Sequence, residues 1–197
     1  MRVAVSQKPV RRLLRWSEIA LLAAAAGMLG YCAFVLADTW IFERQASRRF
    51  DRLHLQPAPL PAPGVAAMSG LVGRMAIPRL GISVVVAEGT EEATLRRAAG
   101  HILGTGLPGR SGNVGIAGHR DTLFRPLRNI RQDDVIMLTT LQGEYRYRVV
   151  STKVVSPYEV AVLDPDGNEV LTLVTCYPFY FVGPAPDRFI VRAERIL

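Results

Sequence analysis

Nineteen consecutive residues near the N-terminus, IALLAAAAGMLGYCAFVLA (19–37), carry no charge and show no polar face. A helix of a soluble domain normally keeps a solvated stripe, so a stretch that is apolar all round is committed to an apolar surrounding. Rising about 1.5 Å per residue, it reaches about 28 Å, close to the ~30 Å hydrocarbon core of a bilayer. Arg2, Lys8, Arg11, Arg12 and Arg15 precede it and few basic residues follow soon after. That asymmetry predicts a cytoplasmic N-terminus and an exported C-terminal body. The small residues of VLA (35–37) offer a signal-peptidase site, so a cleaved signal peptide is the alternative. The run is long for such a leader, and an uncleaved single-pass anchor in the cytoplasmic membrane is the expectation. Cys32 lies inside the span, where a thiolate is disfavoured, and reads as a small hydrophobe.

The charge follows the same division. The net charge of +7 over 197 residues invites a nucleic-acid partner, but nine basic and four acidic residues fall in 1–66, against fifteen and thirteen in 67–197. The excess belongs to the N-terminal part, and no basic stripe runs through the body, so nucleic-acid binding is not expected. The implied partner is instead the lipid bilayer. After a mixed-charge segment, QPAPLPAPG (56–64) removes backbone donors and favours an extended spacer. The organisation read here is a basic tail at 1–18, an anchor at 19–37, a linker at 38–68 and a body at 69–197.

That body reads mainly as short strands. GRMAIP (73–78), ISVVVAE (82–88), NVGIAGH (113–119), DVIMLTT (134–140), EYRYRVVSTKVVS (144–156), EVLTLVTC (169–176) and RFIVRAERI (188–196) are the candidates. Thr90 to Gly100 reads as the one clear helix, with Thr90 as cap, acidic Glu91 and Glu92 first, basic Arg96 and Arg97 last, and Gly100 as stop. DPDGNE (164–169) has the composition of a calcium loop but lacks the glycine and the distal glutamate at the required spacing. It is read as a hairpin turn. Seven or eight short strands with one small helix predict a closed or nearly closed β-barrel.

Cys176 is the single cysteine of the exported body, so it has no internal disulfide partner. It stands at the end of LTLVTC (171–176), with aromatic and turn residues directly after it. An inert buried thiol is the commoner fate. His119 also follows a strand, NVGIAG, and two strand ends delivering the halves of a cysteine–histidine pair raise the odds of chemistry. Arg188 opens the strand after the aromatic loop, and its fixed fork of donors suits a developing oxyanion. His101 competes for the role of base but sits before a Gly/Pro-rich loop. Thr175, beside the cysteine, is a strand residue that can also help hold substrate.

These residues resemble a known family. TLVTC (172–176), GNVGIAGHRDT (112–122) and DRFIVRA (187–193) are similar to the cysteine, histidine and arginine segments of sortases. GHILGTGLPG (100–109) matches the stretch leading into the histidine segment, and the likeness runs in order through residues 70 to 197, with details nearest class D. The resemblance implies a mainly β fold: an eight-stranded sortase-type barrel with one or two short helices, preceded by the transmembrane helix. It implies a cysteine transpeptidase with Cys176 as nucleophile, His119 as general acid/base and Arg188 as oxyanion stabiliser. Thr175 and His101 are carried as substrate-side residues. The implied partners are exported proteins with a C-terminal LPxT-like sorting signal, and an amine acceptor on a peptidoglycan stem peptide or a lysine. The resemblance implies no cofactor and leaves activation by calcium open.

Two rival readings are separable. An L,D-transpeptidase places histidine and glycine immediately before its cysteine, where this chain has Val174 and Thr175. A membrane-anchored binding module would bury Cys176, and its thiol would resist alkylation at neutral pH.

Overall fold

A computed structural model describes residues 8–55, 70–165, 167–181 and 183–196. The chain divides into two compact units, Met1–Ile41 and Phe42–Leu197. The helix α1 spans Lys8–Leu55, 48 residues, farther than the anchor alone requires. Nothing stops it sooner, because no proline occurs between Pro9 and Pro57. Its Leu14–Phe34 stretch is long and apolar enough to cross a membrane and is wholly unburied by protein. This stretch starts before the expected Ile19, since Leu14 and Trp16 extend the apolar surface. The proline spacer at 56–64 lies outside the described residues.

The second unit contains the expected eight-stranded barrel. Its strands are β1 (Leu71–Ile77), β2 (Ile82–Glu88), β3 (Ala99–His101), β4 (Gly112–Ala117), β5 (Val135–Thr139), β6 (Glu144–Val155), β7 (Glu169–Tyr177) and β8 (Asp187–Ile196). They close in the order β1-β2-β3-β4-β7-β8-β6-β5, with β5 pairing back onto β1. The β2–β3 and β4–β7 joints are parallel and the others antiparallel. Alternation fills the inside: Met75, Val84, Val86, Ile116, Leu138, Val149, Leu171, Leu173 and Val191 are buried together, with Phe124 and Leu127 packed on the same cluster. In β6 the polar–apolar alternation of EYRYRVV appears as expected, with Tyr147 and Val149 buried and Arg146 and Arg148 exposed.

Three local readings are corrected. The helix expected over 90–100 is the four-residue α2, Glu92–Leu95, flanked by Glu91 in extended conformation. The chain turns at 96–98 and becomes β3, where Ala99–His101 pairs with Val86–Glu88 and Gly100 with Ala117. Two strand neighbours override the local helical preference. Gly100 is no helix stop: an added Cβ would sit 2.3 Å from the Gly89 carbonyl oxygen. The DPDGNE segment is not a hairpin turn, because β6 and β7 are separated in the barrel by β8. It belongs to the β6–β7 connection, pinned to β4 by the Asn113 amide, which donates to the carbonyls of Val162 at 3.0 Å and Asp164 at 3.3 Å. The strand expected to end on His119 ends at Ala117, leaving the histidine in the following loop.

The segment after β4 is tied down repeatedly. Phe124 and Leu127 are fully buried, and Arg79 donates to the Asn129 carbonyl at 2.6 Å. Arg79 also forms a two-pronged ion pair with Asp134, which accepts a further bond from the Arg131 amide at 2.8 Å. The Arg79 hydrogen bonds hold the Asp134 carboxyl below its usual range. At the far end of β7, the buried Tyr147 hydroxyl donates to Glu169 at 2.5 Å. Burial and that carboxylate push the phenol well above its ordinary pKa.

Candidate active site

Cys176 is the penultimate residue of β7 and Arg188 the second of β8, and the antiparallel register pairs them directly. Directly opposed residues project to the same face with Cβ atoms about 4.5–5.5 Å apart. Leu171, Leu173 and Thr175 take the inward positions of β7, so Cys176 faces outward. Strand geometry alone therefore starts both side chains from neighbouring points on one face of the sheet, and both are half-buried.

His119 arrives from the neighbouring strand. Ala117 of β4 pairs in parallel with Val174 of β7, so two further residues on each chain bring His119 level with Cys176. The pairing continues past the end of β4: the Gly118 amide donates to the Val174 carbonyl at 3.1 Å. The Thr175 hydroxyl then donates to the Gly118 carbonyl at 2.7 Å. Beyond the histidine, the Phe124 amide donates to the His119 carbonyl at 3.0 Å. Gly118 is required there, since a Cβ would meet the Phe124 ring at 2.7 Å. The histidine is half-buried, and among the described residues its imidazole has no hydrogen-bonded partner. One guanidinium nitrogen of Arg188, Nη1, donates to the carbonyls of Asp187 at 2.9 Å and Ala185 at 3.3 Å, which steadies the fork at the strand start.

The remaining two candidates are placed differently. Thr175 is 2% exposed and its hydroxyl is committed to Gly118, so it braces the histidine segment from inside the barrel. His101 is 3% exposed on β3; its Nδ1 meets Glu88 at 2.9 Å, and its Nε2 meets the Gly106 carbonyl at 2.9 Å and Thr105 at 3.1 Å. It organises the 102–106 loop and is not brought together with Cys176. Of the substrate-side and structural roles carried from sequence, the packing of both residues supports the structural one. Among the described residues, no group of three His, Cys, Asp or Glu side chains is arranged to hold a metal.

Sequence reasoning passed over Arg120. Its guanidinium is buried and donates to the carbonyls of Pro178 at 3.0 Å, Phe181 at 2.7 Å and Gly183 at 2.9 Å. An arginine in HRD (119–121) reads as solvated, and the only signal was its adjacency to the histidine. Tyr177, Phe179 and Phe189 also form an unanticipated cluster beneath the site, with ring centroids 5.3–6.3 Å apart.

Comparison with known proteins bears on the family. Residues 75–196 match the family model of the sortase domain. Sortase D of Bacillus subtilis is 34% identical over 125 residues, 63% of this chain and 63% of that protein. Sortase A of Listeria monocytogenes is 32% identical over 140 residues, 68% of this chain and 63% of its own length. The chain thus matches just under two thirds of either relative. Among solved structures, a sortase D transpeptidase of Clostridium perfringens superposes with a TM-score of 0.65 at 26% identity, covering 79% of this chain and 98% of that one. A strand register that sets cysteine against arginine, a histidine just past the end of the adjoining strand and a family match over residues 75–196 lead to one conclusion: the chain belongs to the sortase family.

Proposed function

We propose that this protein is a membrane-anchored cysteine transpeptidase that cleaves an LPxT-type C-terminal sorting signal and transfers the acyl part to an amine. The observation that carries the reading is the register pairing of Cys176 with Arg188 beside the braced His119 segment. The nucleophile in such a transfer is the thiolate. The Cys176 sulfur attacks the carbonyl carbon of the sorting-motif residue. Charge moves onto the carbonyl oxygen, which the Arg188 fork stabilises. As the C–N bond breaks, His119 gives its proton to the departing amine and a thioester is left on Cys176. An incoming amine, deprotonated by His119, attacks the thioester, the C–S bond breaks and the thiolate returns. Water takes the place of the amine when none arrives.

The apolar Leu14–Phe34 stretch and the basic residues before it support an uncleaved anchor with the barrel on the extracytoplasmic side. There it would meet exported substrates and an acceptor amine from a peptidoglycan stem peptide or a lysine. In this reading the chain is most like class D sortases. The full-length chain in detergent, given a panel of LPxT peptides, should cleave at least one and convert it to an amide when a short amine acceptor is added. Replacement of His119 by alanine should abolish turnover. A panel left uncut, or amine that never enters the product, contradicts the proposal.

A further inference from the structure

One side chain joins the loop that carries His119 to the loop that follows Cys176. Arg120 is 6% exposed, and its three carbonyl partners, on Pro178, Phe181 and Gly183, all lie between Cys176 and Arg188. Its nearest carboxylate, Asp121, is 3.4 Å away but largely exposed, so the guanidinium is held mainly by backbone oxygens. The Phe181 ring lies 5.9 Å from it, and a second cation–π contact, Arg128 over Tyr180 at 5.5 Å, links the same two loops.

Burying a cation is costly unless its donors are well matched, and an apolar side chain of similar volume commonly serves stability as well or better. The arrangement therefore asks for a role beyond filling space. His119 is fixed on both sides by backbone: Gly118 is bonded to Val174 and Thr175, and the His119 carbonyl accepts from Phe124. Arg120 adds the tie that neither supplies, since it alone among these residues reaches the 178–183 loop. That loop joins the strand of the nucleophile to the strand of the residue opposite it. One guanidinium thus ties the segment that carries His119 to the loop between Cys176 and Arg188.

We propose that Arg120 is a positioning residue for the transfer reaction, holding the His119 imidazole level with the Cys176 thiol and the Cys176–Arg188 loop in a fixed curl. The proposal rests on the catalytic reading of Cys176 and His119. Its consequence is that loss of Arg120 acts through His119 and reduces the rate of chemistry more than the binding of peptide.

Full-length chain in detergent gives the test, with Arg120→Met, Arg120→Lys, His119→Ala and the double variant Arg120→Met/His119→Ala. The rate of iodoacetamide capture is read at Cys176 by mass mapping, which needs no peptide substrate. Arg120→Met and His119→Ala should each slow capture by about tenfold at neutral pH. The double variant should be no slower than the slower single, because both act on one element. Arg120→Lys, which keeps the charge but loses the fork, should fall between; it carries the same test if Arg120→Met fails to fold. In peptide cleavage, kcat per titrated thiol should fall while KM stays within about twofold. Capture at the wild-type rate in either single variant, or multiplying losses in the double, overturns the proposal. So does a lowered melting temperature with an unchanged rate per folded molecule, the mark of a purely structural brace. A wild-type chain that shows this capture pattern but cleaves no sorting peptide would overturn the proposed function and leave the positioning role standing.

Discussion

Cys176 and Arg188 are 12 residues apart in the chain, yet antiparallel register makes them direct neighbours. In the proposed mechanism the guanidinium acts by its shape as well as its charge. Arg188→Lys keeps the charge and loses the fixed pair of donors. Peptide turnover should fall by about 10²–10³-fold, the scale of losing one oxyanion-hole donor, with the melting temperature little changed. Near-normal turnover would remove Arg188 from the assigned role. A second residue-scale effect concerns Asp134, whose carboxyl is held below its usual range chiefly by the Arg79 hydrogen bonds. A group with a depressed folded-state pKa contributes stability above its unfolded value, about 3.9, and that contribution is lost as pH falls through the folded value. Asp134→Asn should therefore lower the urea midpoint near pH 6, and its gap from wild type should shrink below about pH 4. A gap that widens on acidification would contradict the assignment. The places of Cys176 near the end of β7, Arg188 near the start of β8 and His119 just past β4 were legible because each adjoins a patterned strand. The local sequence of Arg120 and Thr175 says nothing of their partners, Arg120's lying 58 to 63 residues away and Thr175's 57.

At the scale of elements, the long strands announced themselves by alternation, and β2 was read with its observed ends. The three-residue β3 was hidden inside a segment whose composition favours a helix, with a possible cap, acidic start and basic end. What makes it a strand is pairing with β2 and β4, from residues 13 and more positions away. The DPDGNE turn was misassigned for a related reason: composition reports a turn, but which strands it joins is set by barrel order. The tight approach of β3 to Gly89 has a testable cost. Gly100→Ala should destabilise the barrel by about 1–3 kcal/mol, the usual scale of overpacking, measured by urea unfolding. Wild-type stability in that variant would mean that the Gly89 carbonyl yields easily, and that Gly100 is there for another reason.

At the scale of the whole molecule, the division into an apolar N-terminal helix and a closed barrel was legible because charge, hydropathy and proline each change along the chain in that order. Among the described residues the barrel closes on itself through β1–β5 pairing and buries its own core. A chain beginning at Ser69 should therefore fold, stay in solution and retain peptide cleavage. An insoluble or inactive product, where a chain beginning at Asp38 works, would make residues 38–68 part of the fold. The account as a whole stands on a covalent intermediate. Full-length protein incubated with a cleavable LPxT peptide and quenched in acid should gain the mass of the N-terminal peptide fragment, as a hydroxylamine-sensitive adduct mapped to Cys176. Cys176→Ala should show neither adduct nor cleavage. Cleavage without an adduct, an adduct on another residue, or activity surviving in Cys176→Ala would contradict it.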